Sequence, residues 1–250
     1  MNITGNTVLI TGGASGIGLG LAEAFIREGN EVLICGRTES NLEQARARFP
    51  QLHTFTCDIA GEEGRKYLFD RVAAYYGNIN ILVNNAGIQN VIDFTTGHAQ
   101  LLEGESEIDT NLVAPIYLSA RFIPLLLERK EAAIINVSSQ LAFVPLAFLP
   151  VYCATKAAVH SFTLSLRHQL RATSIKVFEL MPPRVDTDLG KGPQRDKGHI
   201  PPAISVGQVV ETTMNALKSD KFEILVGSAN ELLSMLKKDP DDLFKIMNGG

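Results

Sequence analysis

Short apolar runs alternate with segments of helical period along nearly the whole chain. Residues 7–11, 32–35, 53–57, 79–83, 132–137, 175–180 and 222–226 are brief, apolar and bounded by turn or helical segments, and they read as strands. Between the first two, Ile17, Leu21, Ala24, Phe25 and Glu28 recur at helical spacing and stop at Gly29-Asn30, a good terminator. Helical segments are also expected at 41–49, closing at Pro50, and at 62–76, closing at Gly77. Residues 94–129 gain helical character in their second half, and 151–171, 206–218 and 231–247 read as further helices. Residues 182–202 are rich in proline, glycine and charge, with no usable period. Seven apolar strands separated by helices imply one parallel sheet covered on both faces. Right-handed crossovers make this a Rossmann-like, doubly wound α/β fold with ligands at the carboxyl ends of the strands. Such folds reach this length as one unit, so residues 1–250 read as a single domain, with 183–205 as a substrate loop.

Composition narrows the partners. With 45% hydrophobic and 20% charged residues the chain resembles an ordinary soluble enzyme, and a net charge of -4 argues against nucleic acid or an anionic membrane. Cys35, Cys57 and Cys153 are odd in number, widely spaced and form no C-x-x-C, so neither structural disulfides nor zinc are expected. Cys35 and Cys57 lie in apolar runs and read as small buried hydrophobes, and Cys153 as packing. No charged-then-apolar leader and no uninterrupted apolar stretch of about 18 residues stand out, so a cytoplasmic protein without membrane insertion is expected. His53, His98, His160, His168 and His199 form no metal-spaced pair and read as surface or packing residues.

The chemistry lies just after the strands. Thr11-Gly12-Gly13-Ala14-Ser15-Gly16-Ile17-Gly18 joins the first strand to the first helix. Backbone N–H groups at a helix N-terminus favour an anion, and Gly12, Gly16 and Gly18 allow a pyrophosphate to approach. A plain glycine-rich turn is the alternative, and the strand–loop–helix context disfavours it. An NAD site wants a carboxylate at the end of strand two for the ribose 2′-hydroxyl. Here the run is Cys35-Gly36-Arg37-Thr38, and Arg37 suits a 2′-phosphate through its planar fork. Asp58, followed by Ile59, either accepts from an adenine amino group or caps the helix that begins near Gly61. After strand four comes Asn84-Asn85-Ala86-Gly87, where asparagine ties strand ends together and glycine leaves room for a ribose.

Tyr152 and Lys156 stand four residues apart and share one helical face. A free tyrosine has a pKa of about 10, and a nearby ammonium lowers it. Ser139, at the end of the preceding strand, is placed to hydrogen-bond a carbonyl oxygen. With these residues in place the chain resembles the short-chain dehydrogenase/reductase family over roughly residues 6–226. Thr11 to Gly18 match its T-G-x-x-x-G-x-G, Asn84 to Gly87 its N-N-A-G, and Ser139, Tyr152 and Lys156 its catalytic set. More narrowly, Val151-Tyr152-Cys153-Ala154-Thr155-Lys156 and a Pro-Pro-x-Val-Asp-Thr run resemble the oxidoreductases found beside lipoteichoic-acid D-alanylation genes in Gram-positive bacteria.

The resemblance implies reversible hydride transfer between a nicotinamide cofactor and a small carbonyl or alcohol substrate, and Arg37 with no carboxylate beside it makes NADP(H), preferred over NAD(H), the expected cofactor. The resemblance makes Tyr152 the general acid–base and Lys156 the group that lowers its pKa and holds the nicotinamide ribose. Ser139 positions the substrate oxygen, and Asn111 bends its helix and supports a water relay. Cofactor contacts are implied at Gly12, Ser15, Gly16, Ile17, Gly18, Arg37, Asp58, Ile59, Asn85, Ala86, Gly87, Tyr152, Lys156, Pro182, Val185 and Thr187. One departure stands out: Pro183 occupies the place of the usual glycine, which removes a backbone donor. Residues 140–149 are apolar and lead into Tyr152, so an apolar substrate is expected, with 140–149 alternatively packing on the 189–204 loop. Arg184, Lys191 or Arg195 could add a preference for an anionic group. Leu118, Phe122, Leu125 and Leu126, with Val159, Phe162, Leu166 and Leu170, spread apolar surface around the 111–129 and 151–171 helices. That girth, and the family's habit, point to a homodimer or homotetramer. The rival readings are a nucleotide-binding sensor or scaffold without turnover and a structural interaction protein.

Overall fold

The computed structural model describes residues 1–98, 101, 104–189, 202–227 and 229–248. Among them a seven-stranded, wholly parallel sheet runs in the order β3-β2-β1-β4-β5-β6-β7. The strands are β1 (Thr7–Thr11), β2 (Glu31–Gly36), β3 (His53–Thr56), β4 (Ile81–Asn84), β5 (Ala132–Val137), β6 (Ile175–Met181) and β7 (Glu223–Leu225). β1, β4 and β5 are buried along their whole length, which is why they read as continuous apolar runs rather than alternating ones. The helices are α1 (Gly16–Arg27), α2 (Glu39–Arg48), α3 (Glu62–Tyr75), α4 (Ala114–Leu127), α5 (Pro150–Leu170), α6 (Val206–Lys218), α7 (Ala229–Lys238) and α8 (Pro240–Asn248).

Two cores flank the sheet. On one face Leu21 and Phe25 of α1, Leu42 of α2 and Val209 and Leu217 of α6 pack on Val8, Ile10 and Ile34. On the other, Leu68 and Val72 of α3, Leu118 and Phe122 of α4 and Leu166 of α5 pack on Leu9, Leu33 and Leu82. The doubly wound reading therefore holds. Strand order reverses between β1 and β4, which opens a crevice at their carboxyl ends.

Three features differ from expectation. The helix leading into α4 opens with a π-helical turn, Asp109–Val113, and Asn111 sits in it. A π turn widens the hydrogen-bond ladder locally, which the plain helical period does not show. The C-terminal segment is two helices, not one, and Pro240 starts the second because its ring cannot continue the first. A third small core lies beneath this hairpin, where Leu243, Met247, Leu232 and Leu236 meet Val144, Leu146, Leu149 and Tyr152. Residues 140–149 thus pack on α7 and α8. Of the 189–204 loop, residues 190–201 lie outside the described residues, as do Lys191 and Arg195.

Candidate active site

A single cleft follows the carboxyl ends of the strands from Arg37 to Met247. At its middle the loops after β1 and β4 are tied together. Thr11 Oγ1 accepts from the backbone N–H of Asn85 and of Ala86, each at 3.0 Å, and the Asn85 amide donates to the carbonyls of Thr11 (2.9 Å) and Gly12 (3.1 Å). Gly12 has φ 63, and a Cβ there would lie 2.8 Å from Ala86 Cα, so neither conformation nor space admits a side chain. Ser15 is the N-cap of α1 but makes no capping bond with its side chain, and α1 has no acid in its first turn. The helix N-terminus is therefore electropositive and faces the cleft with Ser15, Gly16 and Ile17 on the wall. This arrangement fits a pyrophosphate. Gly18 differs from expectation: it is not on the cleft wall, and a Cβ there would lie 2.3 Å from the Gly12 carbonyl oxygen. It serves the close packing of helix on loop.

Arg37, Asp58 and Ile59 line the end of the cleft beside β2 and β3. The open alternative for Asp58 resolves against helix capping. Gly61 is the N-cap of α3, and Asp58 Oδ1 instead accepts from Ala60 N–H at 3.0 Å, which fixes the carboxylate at the cleft. Arg37 is not a free surface arginine; it is ion-paired with Glu105. Cys35 is buried as expected, whereas Cys57 is half-buried, and both line the cleft. A hydrogen bond from Cys35 holds the Cys57 thiol below its ordinary range.

At the other end, Ser139, Tyr152 and Lys156 converge on the wall, with Gly87, Pro182, Val185 and Thr187 beside them. Ser139 follows β5 with extended backbone, and its hydroxyl accepts from Leu141 N–H at 3.1 Å. Lys156 is buried and donates to the Val137 carbonyl at 2.8 Å, while its Nζ lies 5.6 Å from the Tyr152 ring centroid. Burial lowers its pKa to about 8. Tyr152 behaves differently from the sequence reading. Burial pushes its phenol well up, and the Ser139 hydroxyl pulls it partly back. Asn111 stands behind the wall rather than on it. Its oxygen accepts from Ile88 N–H (2.9 Å), and its nitrogen donates to the Ile88 carbonyl (2.9 Å) and to Thr155 Oγ1 (3.2 Å). It thus fastens the β4 loop to the helix that carries Tyr152. A Cβ on Gly87 would sit 3.4 Å from Asn111 Oδ1 and 3.6 Å from Lys156 Nζ, so glycine keeps that junction tight.

Sequence reasoning missed several wall residues. Met247 comes from α8, and its signal was the apolar stripe Leu232, Leu236, Leu243 and Met247. Gln140 and Thr110 line the cleft while carrying buried, unpartnered oxygens, Oε1 and Oγ1. A single glutamine or threonine in sequence carries no such signal. Cys153 does pack as expected: burial pushes its thiol up to about 11, and its sulfur accepts from Leu146 N–H at 3.4 Å. His160 is more than packing, because its Nδ1 lies 2.9 Å from Glu179 Oε2, and Glu179 is wholly buried.

The geometry has its counterpart among known proteins. The family model for short chain dehydrogenase matches residues 6–198. The chain belongs to the short-chain dehydrogenase family. It is 48% identical over 248 residues to an uncharacterized oxidoreductase, DltE, of Bacillus subtilis (strain 168), which covers 99% of this chain and 98% of that one. It is 32% identical over 177 residues to the NADP-dependent 3-hydroxy acid dehydrogenase YdfG of Escherichia coli O6:H1, covering 70% and 71% of the two chains. Among solved structures, a short chain dehydrogenase from Burkholderia cenocepacia J2315 in complex with NADP superposes with a TM-score of 0.83 at 28% identity, covering 97% of each chain. The protein is an oxidoreductase of the short-chain dehydrogenase/reductase type. Among the described residues, the one helical stretch apolar and long enough by composition to span a membrane, Asp109–Leu127, buries Ala114, Leu118, Phe122 and Leu126 against the sheet.

Proposed function

We propose that this short-chain dehydrogenase is NADP(H)-dependent and acts on a carbonyl or secondary alcohol with substantial apolar surface. The observation that carries the reading is the convergence of Ser139, Tyr152 and Lys156 at one end of a cleft whose other end holds Arg37. When bound, the nicotinamide supplies or accepts the hydride. Tyr152 gives its phenolic proton to the carbonyl oxygen, or takes one from the alcohol. Ser139 donates to the same oxygen and fixes its position. Charged Lys156 holds the nicotinamide ribose and adds positive potential beside the phenol. Asn111 keeps the β4 loop and α5 in register. Burial keeps Tyr152 protonated at neutral pH, which is the form that carbonyl reduction needs.

The apolar preference rests on Leu141, Leu146, Phe148, Leu149 and Met247, which line the reaction end. Residues 183–205 then act as the substrate loop. Its two ends are held together, since Asp186 N–H donates to the Ile204 carbonyl (2.9 Å) and Ile204 N–H to the Arg184 carbonyl (3.0 Å). Three free thiols suit a reducing cytoplasm. The preference for NADP(H) rests on Arg37 and on the lack of an acid beside it on β2. A charge-assisted contact to a 2′-phosphate adds about 1.5–3 kcal/mol, or about ten- to hundredfold in affinity. The deciding experiment follows NADPH and NADH oxidation with a panel of hydrophobic ketones and aldehydes beside small keto acids, in wild type and Arg37→Ala. NADPH-linked turnover of apolar carbonyls supports the reading. A preference for NADH, or for keto acids by a wide margin, overturns it. Cofactor binding with no turnover of any carbonyl would mark a sensor.

A further inference from the structure

Arg37, on which the cofactor reading rests, already has an anionic partner. It lies on the cleft wall, and its guanidinium Nη1 contacts Glu105 Oε1. The two residues come from distant places. Arg37 follows β2, whereas Glu105 belongs to the segment between β4 and the Asp109–Val113 turn. Glu105 is held in place by its backbone: its carbonyl accepts from the Asn90 side chain at 3.5 Å. Asn90 is itself anchored, because its N–H donates to Glu107 Oε1 at 3.0 Å and Glu107 is buried. The Glu105 side chain is 52% exposed and that of Arg37 39%, so neither is committed to the core. The segment after β4 thus delivers a carboxylate to the end of β2, where the sequence of β2 itself supplies none.

We infer that Glu105 is a specificity-determining residue that competes with the 2′-phosphate of NADP(H) for Arg37 and so narrows the enzyme's preference over NAD(H). A 2′-phosphate is a dianion, and a carboxylate on the same guanidinium repels it and occupies donors it would use. NADP(H) must displace Glu105 or tolerate it, and either lowers its affinity. NAD(H) brings no such charge and leaves the pair intact. This inference rests on the proposed role of Arg37. An exposed ion pair is weak, so the competition is worth a modest factor, about two- to fivefold.

The test measures Kd for NADP⁺ and NAD⁺ by calorimetry on the intact protein in wild type, Glu105→Gln, Glu105→Lys and Arg37→Ala. Glu105→Gln should tighten NADP⁺ by about two- to fivefold and leave NAD⁺ unchanged. Glu105→Lys replaces the competitor with a second cation and should tighten NADP⁺ further, again without change for NAD⁺. Arg37→Ala separates the two levels of the argument. If it lowers the NADP⁺ preference while both Glu105 variants bind NADP⁺ as wild type does, the Arg37 reading stands and the competition is wrong. If Arg37→Ala leaves the preference unchanged, the Arg37 reading is wrong and the competition falls with it. Weaker NAD⁺ binding in Glu105→Gln would also overturn it, since Glu105 would then be a ribose ligand rather than a competitor. Thermal melting of each variant confirms a folded protein, as expected for half-exposed positions.

Discussion

At the scale of single residues the site sets two requirements against each other. Burial holds Tyr152 in its protonated form and pulls Lys156 down to about 8. Tyr152→Phe removes the proton and keeps the ring, so kcat should fall by about 10²–10⁴ while cofactor Kd stays near the wild-type value. Near-normal kcat in that variant would sink the assignment. The lysine gives a pH signature of opposite sign for function and for stability. Its pKa in the fold lies below the ordinary 10.5, so its charge is lost as pH rises through about 8. Reduction rates should decline across that range in wild type. Stability should do the reverse: the buried charge opposes folding fully below about 8, and the opposition fades as pH climbs towards 10.5. Urea titrations of nucleotide-free wild type and Lys156→Met should therefore show wild type gaining on the variant with rising pH. A constant difference between them would mean that Lys156 is charged or neutral throughout.

At the scale of elements, α5 is placed by a stripe of polar anchors along its inner face. Lys156 holds the Val137 carbonyl, His160 holds Glu179, Thr163 Oγ1 accepts from Asn136 at 2.9 Å, and Arg167 Nε donates to the Val177 carbonyl at 2.8 Å. Glu179 also accepts from Ser138 Oγ at 2.5 Å, next door to Ser139. Glu179→Ala leaves the buried Ser138 hydroxyl and the part-buried His160 ring without their shared partner, and an unsatisfied buried polar group costs about 1–3 kcal/mol. Denaturant unfolding should show that loss, whereas a change below 1 kcal/mol would mean that the network is idle. This stripe was not legible in the sequence. A glutamate in an apolar strand looks like an edge residue until its partner helix is known. The strands were legible because most are buried on both faces, and the glycine loop because it joins a strand to a helix. The π turn at Asn111 has no sequence signal of its own. The break at Pro240 was readable but was hidden by the helical period on either side, and with it went the role of α8 as a wall. Deleting residues 240–250 removes Leu243 and Met247 from above Tyr152. It should raise KM for apolar carbonyls several-fold with little effect on cofactor Kd; unchanged KM would exclude α8 from the pocket.

At the scale of the whole molecule, the order of the strands decides where chemistry can occur, and the leftover surface decides how copies meet. The crevice between β1 and β4 collects every loop that carries a motif, which is why residues far apart in sequence share one wall. The outer surface of α4 and α5 is a different matter. Leu118, Phe122, Leu126, Val159 and Leu166, taken from the sequence as needing a partner beyond the sheet, are buried within the protomer. They are core residues because the 3.6-residue period lets a helix lie deep against the sheet with a broad apolar arc. What remains outside is Tyr117, Leu127 and Leu164, which are 53%, 47% and 41% exposed. Scattered single apolar residues are normal on a protein surface, so these three argue for association only if they act together. The expected state is still a homodimer or homotetramer through these helices, and exposed Leu164 on α5 is the position that tests it. Light scattering at micromolar concentration should give a multiple of 27.2 kDa for wild type. Leu164→Arg should shift the mass towards the monomer while circular dichroism stays unchanged. A monomeric wild type would remove the dimer altogether, and an unshifted oligomer in the variant would move its interface off α5.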